Sequence, residues 1–385
     1  MVKLAVLNNS REILNKNILF LVISCCAILN AQQADVNREI TFPDLDHHLT
    51  LVCDFHTHSV FSDGSVWPDI RVEEAEKDNI DVLAVTEHLE YQPHISDIPH
   101  PDRNRSYQLA TKYSNSDLLI VSGAEITRRM PLGHANAIFL KDANKLHSAD
   151  EIAGIVPKDD MRPFEAANKQ KAFVFWNHPT WRQEQYGDVV ITEMHKTLFS
   201  KGYLHGVEVV NEFEYSEESL QIALDYDLTI IGNSDIHGLV DWDYEISEGG
   251  HRPVTLVFAK EKSEKAIKKA LFKKQTVVWN RNTLIGREKW LLPLIDASLE
   301  VVSVEYKRDA AHVSIKNKSD VRFILKNNSS FNFFINSDLV EIPAQDTIKL
   351  TVLTKGVLES FSLEFEVQNA IFAPRKHPII TLKVQ

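Results

Sequence analysis

One feature constrains the fold more than any other. Apolar, β-type runs recur along the chain, and each is bounded by histidine or a carboxylate. Seven such runs lie at Thr50–Phe55, Val82–Thr86, Leu119–Ile126, Ala135–Phe139, Ala172–Asn177, Val207–Asn211 and Thr229–Ser234. Most are continuously apolar rather than alternating, which is the pattern of strands covered on both faces. Helical stretches such as Asp69–Asp78 and Ser216–Asp225 separate them. Strand–helix alternation on this scale predicts an α/β barrel over residues 45–280. Residues just past barrel strands gather at one mouth, so the residue types found there decide the chemistry.

Those types are metal ligands. The first run closes on His56-Thr57-His58, followed by Asp63 and Gly64; the second on Glu87-His88; the third on Glu125. His134 precedes the fourth run, His178 follows the fifth, the sixth contains Glu208 and ends toward Glu212, and the seventh leads into Asp235 and His237. Histidines at i and i+2 of extended chain point the same way, so both imidazoles reach one ion. A single histidine is ordinarily a satisfied core or surface residue; repetition at equivalent strand ends is what marks these as ligands. Imidazole with carboxylate selects Zn, Mn or Fe over Ca or Mg. Six of the 13 glycines (Gly64, Gly123, Gly133, Gly206, Gly232 and Gly238) flank these positions, as close backbone packing around a crowded site requires.

The rest of the chain sets the frame. Residues 281–297, around Trp290-Leu291-Leu292-Pro293, read as a linker, and 298–385 as several short strands split by turns such as Asn327-Asn328-Ser329-Ser330. That texture predicts a small antiparallel β-sandwich. The expected strands include Phe331–Ile335. At the N-terminus, Lys3, Arg11 and Lys16 precede the apolar run Ile18–Leu29. The run is short for a membrane span and fits a signal peptide, 1–31, with cleavage after Ala31. The expectation is an exported, periplasmic or secreted protein with no stable membrane span in the mature chain. Lipidation at Cys25 within Ile23-Ser24-Cys25 is the alternative. With Cys25 and Cys26 in that segment, Cys53 stands alone and reads as a small core residue. The net charge of −12 argues against a nucleic-acid partner, and no Gly-rich nucleotide loop occurs. Lys260–Lys274 carries seven lysines but also Glu261 and Glu264, and reads as a solvated helix.

Taken in order, the runs His56–Gly64 (HTHSVFSDG), Thr86–His88 (TEH), Gly123–Ile126 (GAEI), Asn177–Pro179 (NHP) and Asn233–Gly238 (NSDIHG) resemble those of PHP (polymerase and histidinol phosphatase) domains. The resemblance covers about residues 50–260. It implies a distorted (β/α)7, TIM-like barrel with two or three divalent ions at its mouth. It further implies that His56, His58, Glu125 and Asp235 hold one ion, Glu125 with His134 and His178 a second, and Asp63, His88 and His237 a third. Glu87 departs from the Asp that many relatives carry before this histidine. The leader and the C-terminal β-domain also resemble the secreted bacterial Sb-PDE-type phosphodiesterases.

The expected activity is metal-dependent hydrolysis of small phosphodiesters, through attack by a metal-bridging hydroxide with Asp235 accepting its proton. A phosphomonoesterase and a metal-loaded surface-binding protein are the alternatives. Arg128 and Arg182 are the expected phosphate-binding residues, with Arg129 nearby, since guanidinium forks match phosphate oxygens. Trp176, Trp181 and Tyr186 are candidates for walls around an apolar ester group. For the leaving-group acid, position alone offers His205, His251 and Glu87. The sequence does not bear on oligomeric state.

Overall fold

The computed structural model describes residues 38–115, 117–146, 160–182 and 187–385. The expected signal segment and Tyr186 lie outside them. All seven expected barrel runs are strands: β1 Leu49–Asp54, β2 Val82–Val85, β3 Leu119–Ile126, β4 Ala135–Ile138, β5 Phe173–Trp176, β6 Gly206–Asn211 and, after the two-residue β7 Glu214–Tyr215, β8 Thr229–Asn233. Strands β9 Val254–Ala259, β10 Thr276–Asn280 and β11 Thr283–Gly286 follow. The hydrogen-bonded order is β11-β10-β9-β1-β2-β3-β4-β5-β6, and β8 also pairs with β6. Helices α1 Pro68–Lys77, α2 Arg105–Tyr113, α3 Arg162–Lys169, α4 Glu193–Lys201 and α5 Glu217–Asp225 connect the first strands; α6 Val240–Asp243 and α7 Glu264–Phe272 come later.

The sheet is not wholly parallel. Strands β1, β2 and β3 run parallel, as do β5, β6 and β8, but β4 is antiparallel to both neighbours and β9 to β1. The loop from β3 to β4 is too short for a crossover helix, so the chain turns back as a hairpin. Side chains help close the barrel. Thr255 Oγ1 accepts from Gly232 N (3.0 Å) and donates to Gly232 O (2.7 Å), and Thr276 Oγ1 donates to Ile230 O (2.8 Å). A Cβ on Gly232 would lie 2.3 Å from Val278 Cγ1, so only glycine lets β8 approach this closely. This is a distorted TIM-like barrel rather than a regular one.

Most of residues 281–297, expected as a linker, lie in β11 and in helix α8, Glu288–Ser298. Leu291, Leu294 and Ile295 of α8 are fully buried in one core with Trp279 and Leu284 of the barrel and with Val313, Phe323 and Phe365 beyond it. Pro293 lies inside α8 and removes one backbone hydrogen bond, but the i, i+3, i+4 spacing of Leu291, Leu294 and Ile295 buries one helix face and packing overrides that loss. The C-terminal domain has two antiparallel sheets. One orders β12 Leu299–Lys307, β13 Ala310–Asn317 and β16 Thr347–Leu353. The other orders β15 Leu339–Ile342, β14 Phe323–Asn327, β17 Phe361–Val367 and β19 Ile379–Val384. The two-residue β18, Ala370–Ile371, joins β11. The expected strand Phe331–Ile335 does not form. Phe334 and Ile335 are 70% and 78% exposed, and Phe333 makes a single bridge to Val352. Their hydrophobicity mimicked a strand without an inward face. Cys53 is free and fully buried in the barrel.

Candidate metal centre

The ligand candidates are carried to one place by the strand ends. The ladder runs on past β1 and β8 as a Thr57–Ile236 bridge, and past β2 as a His88–Glu125 bridge. His56 and His58 flank Thr57 and project into the same space. Gly64 lets the next loop fold back, because a Cβ there would lie 2.7 Å from the His58 carbonyl carbon. This return brings Asp63 to the site.

At the centre, His56 Nε2 lies 3.1 Å from His58 Nε2, 3.5 Å from Glu125 Oε2 and 3.0 Å from Asp235 Oδ1. His58 Nε2 lies 3.3 Å from the same Glu125 oxygen and 3.1 Å from the same Asp235 oxygen. Four ligands at about 2.1 Å from a tetrahedral ion are separated by about 3.4 Å, so this spacing suits one ion. Glu125 Oε1 faces outward to His134 Nδ1 (3.0 Å) and His178 Nε2 (3.4 Å). Asp63 reaches His88 Nε2 (3.4 Å) and His237 Nε2 (3.2 Å). Ligand atoms within 4.8 Å of one another fall into four overlapping groups, with His58, Asp63, His88 and His237 as the largest. All nine residues expected as ligands therefore converge. The groupings differ in detail: His178 falls with His56 and Asp235, and His134 with His88 and Glu125.

The hydrogen bonds behind the imidazoles decide which nitrogen is offered. His56 Nδ1 donates to Glu208 Oε1 (2.9 Å), and His237 Nδ1 to the Asp235 carbonyl (2.7 Å). Ser62 Oγ donates to Glu87 Oε2 (2.5 Å) and so accepts from His58 Nδ1 (3.2 Å). Thr127 Oγ1 donates to the Glu125 carbonyl (3.2 Å) and accepts from His88 Nδ1 (2.7 Å). Four rings thus carry their proton on Nδ1 and turn an Nε2 lone pair inward, the tautomer a metal requires. Meanwhile Asp63 Oδ1, Glu125 Oε2 and Asp235 Oδ1 are buried oxygens without a hydrogen bond. Buried acceptors are ordinarily satisfied, so Asp63 Oδ1 and Asp235 Oδ1, aimed at inward lone pairs, fit a cation; Glu125 Oε2 faces the Nε2 atoms of His56 and His58 and also lies 2.9 Å from His88 Nδ1. Buried Glu125 also needs positive charge beside it: against the opposing effect of burial, imidazolium charge on His88, His56 and His134 would hold its carboxyl well below its usual range, a part that a divalent cation takes when the rings are neutral ligands. The residues fit a divalent metal centre.

The centre opens into a cavity of about 800 Å³ lined by Tyr91, Thr127, Thr180, Trp181, Arg182, Asn211, Glu212 and Glu214 together with seven of the ligand candidates. Arg182 stacks on Trp181, its guanidinium 4.6 Å from the ring centroid. The other expected phosphate contact is corrected. Arg128 is buried, paired with Glu90 and 3.7 Å from Asp160, and is not among the described lining residues. Trp176 is also buried, packed on His195 with centroids 4.0 Å apart, and is no wall. Nor does any of the three candidate acids line the cavity. His205 accepts from Val174 N and stacks on Phe173. His251 stacks on Trp279, with centroids 3.5 Å apart. The Glu87 carboxylate accepts from Ser59, Ser62 and Ser106 hydroxyls.

In the sequence, Glu208 stands among the metal-ligand types at the strand ends but is assigned to no ion. Its oxygens accept from His56 Nδ1, Asn233 Nδ2 (2.8 Å), His178 N (2.8 Å) and Asn211 Nδ2 (3.0 Å). Its placement two residues into a barrel strand was the available signal, because period two points it toward the mouth-side interior.

Comparisons with known proteins complete the picture. An Ig-like domain family, DUF5001, matches residues 299–383. No curated protein matches the chain. Over 90% of its length, and 98% of the other chain, this protein is 38% identical to a two-domain protein of Bacteroides vulgatus ATCC 8482 containing a predicted PHP-like metal-dependent phosphoesterase, with a TM-score of 0.81. A Bifidobacterium adolescentis ATCC 15703 structure, itself provisionally assigned as a metal-dependent phosphoesterase, is 19% identical over 49% of this chain and 88% of its own, with a TM-score of 0.38. The barrel, its convergent ligands and the two-domain match together place this chain in the family of PHP-like metal-dependent phosphoesterases.

Proposed function

We propose that this protein hydrolyses phosphodiesters of small organic molecules, using two or three Zn, Mn or Fe ions held by His56, His58, Asp63, His88, Glu125, His134, His178, Asp235 and His237. Such ions supply Lewis acidity and water activation. Asp235, whose buried carboxylate lies at the convergence of His56 and His58, receives the proton of the attacking water. Arg182 binds a non-bridging phosphate oxygen, held over the cavity by the Trp181 ring. The observation that carries the diester reading is the cavity wall: Arg182 is the one Arg or Lys among its described lining residues, set beside Trp181 and Tyr91. A single guanidinium with aromatic neighbours suits a singly charged phosphate bearing an apolar group. A dianionic monoester calls for more positive charge. Export to the periplasm or medium, with a mature N-terminus near Gln32, belongs to the same proposal.

The test is kcat/KM for matched nitrophenyl phosphate mono- and diesters under one metal condition. A diester preference is expected. A monoester preference above about tenfold, or about 1.4 kcal/mol in transition-state binding, makes the monoesterase the better reading. His56→Ala and Asp235→Asn should abolish turnover and lower the metal content measured by elemental analysis.

A further inference from the structure

The outermost ligand group, Asp63, His88 and His237, draws two of its members from loops far apart in sequence. We infer that Arg71, on helix α1, is the positioning residue that holds those loops in register and so sets the metal affinity of this group. The inference rests on the metal-centre reading above.

Arg71 is 2% exposed. Its Nε donates to the His58 carbonyl (2.8 Å), and its Nη2 to the carbonyls of His237 (2.9 Å) and Gly238 (2.6 Å). Nη1 meets Glu74 Oε2 at 2.6 Å, and Glu74 Oε1 accepts from Val240 N at 2.9 Å. One turn of α1 thus pins the backbone on both sides of the site, after β1 and after β8. The consequence is visible in the side chains. The rings of His58 and His237 stack with centroids 4.4 Å apart, at 21°. Asp63, on the returning loop, reaches His237 Nε2 at 3.2 Å and His58 Nδ1 at 3.7 Å. Ser65 N donates to the His237 carbonyl that Arg71 also holds (2.8 Å).

Without the guanidinium, the carbonyls of buried His58 and half-buried Gly238 lose donors that the backbone does not replace, and the loops relax to find others. Lysine cannot substitute, because a point charge on a flexible stem does not present a fork to three acceptors. The inner ligands are less exposed to this loss. His56 and Glu125 hang from strands β1 and β3 and are completely buried, whereas the His237 and Asp63 side chains are 36% and 22% exposed.

The experiment titrates metal-stripped full-length protein with Zn²⁺ against a chromophoric chelator, resolving tight and weak classes of site. Asp63→Asn, which removes a ligand, is the benchmark for loss of the outer group. Arg71→Met should weaken that class by about 10–100-fold and change the tight class less, since His58 alone of the inner ligands sits on a carbonyl that Arg71 holds. Arg287→Met is the control for a merely structural effect. Arg287 also bridges two carbonyls, those of Ala223 and Leu228, but away from the site. It should lower Tm without altering either class. Should Arg71→Met not fold, Arg71→Lys decides by the same titration. Wild-type affinities in the folded Arg71 variant, or an equal loss in Arg287→Met, overturn the positioning role. Wild-type protein that binds no metal overturns the metal centre itself, so the two failures are distinguishable.

Discussion

Glu208→Gln is the sharpest test of how the centre is built. The substitution changes almost no volume and replaces one acceptor oxygen with an amide. Each carboxylate oxygen of Glu208 serves two donors: Oε1 takes His56 Nδ1 and Asn233 Nδ2, and Oε2 takes His178 N and Asn211 Nδ2. Whichever way a glutamine amide is turned, one pair of donors faces an N–H. Two donors left unsatisfied at a 1%-exposed site, at about 1–3 kcal/mol each, predict a loss of about 2–6 kcal/mol. Against a typical stability of about 5–15 kcal/mol that is large but survivable. Either orientation disturbs a ligand residue, His56 at its Nδ1 acceptor or His178 at its backbone N–H, so metal affinity should fall by about 10–100-fold. Urea unfolding of metal-free wild type and variant isolates the first effect, and chelator competition the second. A stability change within about 0.5 kcal/mol, with unaltered metal affinity, would show that Glu208 does not orient the inner ligands.

The two arginines first expected to bind phosphate should now separate. Arg182→Ala should lower kcat/KM for diesters about tenfold or more with little change in Tm, and an unchanged kcat/KM removes it from the site. Arg128→Ala leaves the half-buried Glu90 carboxylate short of a cation while Asp160 keeps Arg162, so it should cost about 3 kcal/mol in stability, the low end for breaking a buried pair; a wild-type melting curve contradicts that assignment. His205 supplies a pH prediction. Burial lowers its pKa to about 4, so between pH 4 and 6.5 the unfolded chain binds a proton the folded chain does not. Its contribution, about 3 kcal/mol at most, is present above pH 6.5 and lost as pH falls toward 4. His205→Leu should remove this part of the pH slope in urea midpoints; parallel curves for variant and wild type count against it.

Much of this protein is legible in its sequence because its chemistry is periodic. Strands covered on both faces must be continuously apolar, and ligands at a barrel mouth must follow them directly. The runs ending at His56-His58, His88, Glu125, His178 and Asp235-His237 therefore mark both the elements and the site. What the sequence could not decide depends on partners distant along the chain. Arg128 and Arg182 look alike as arginines after strand ends, but Glu90 and Asp160 bury one while Trp181 holds the other over the cavity. Glu208 and Arg71 gain their roles only when β6 comes beside β8, and α1 beneath the loops of β1 and β8. The stretch around Pro293 reads as a linker until two apolar layers enclose it. Local pattern records which face of an element must be buried; which group satisfies a given hydrogen bond or charge is a three-dimensional fact, fixed by the packing that brings remote segments within 3 Å of each other.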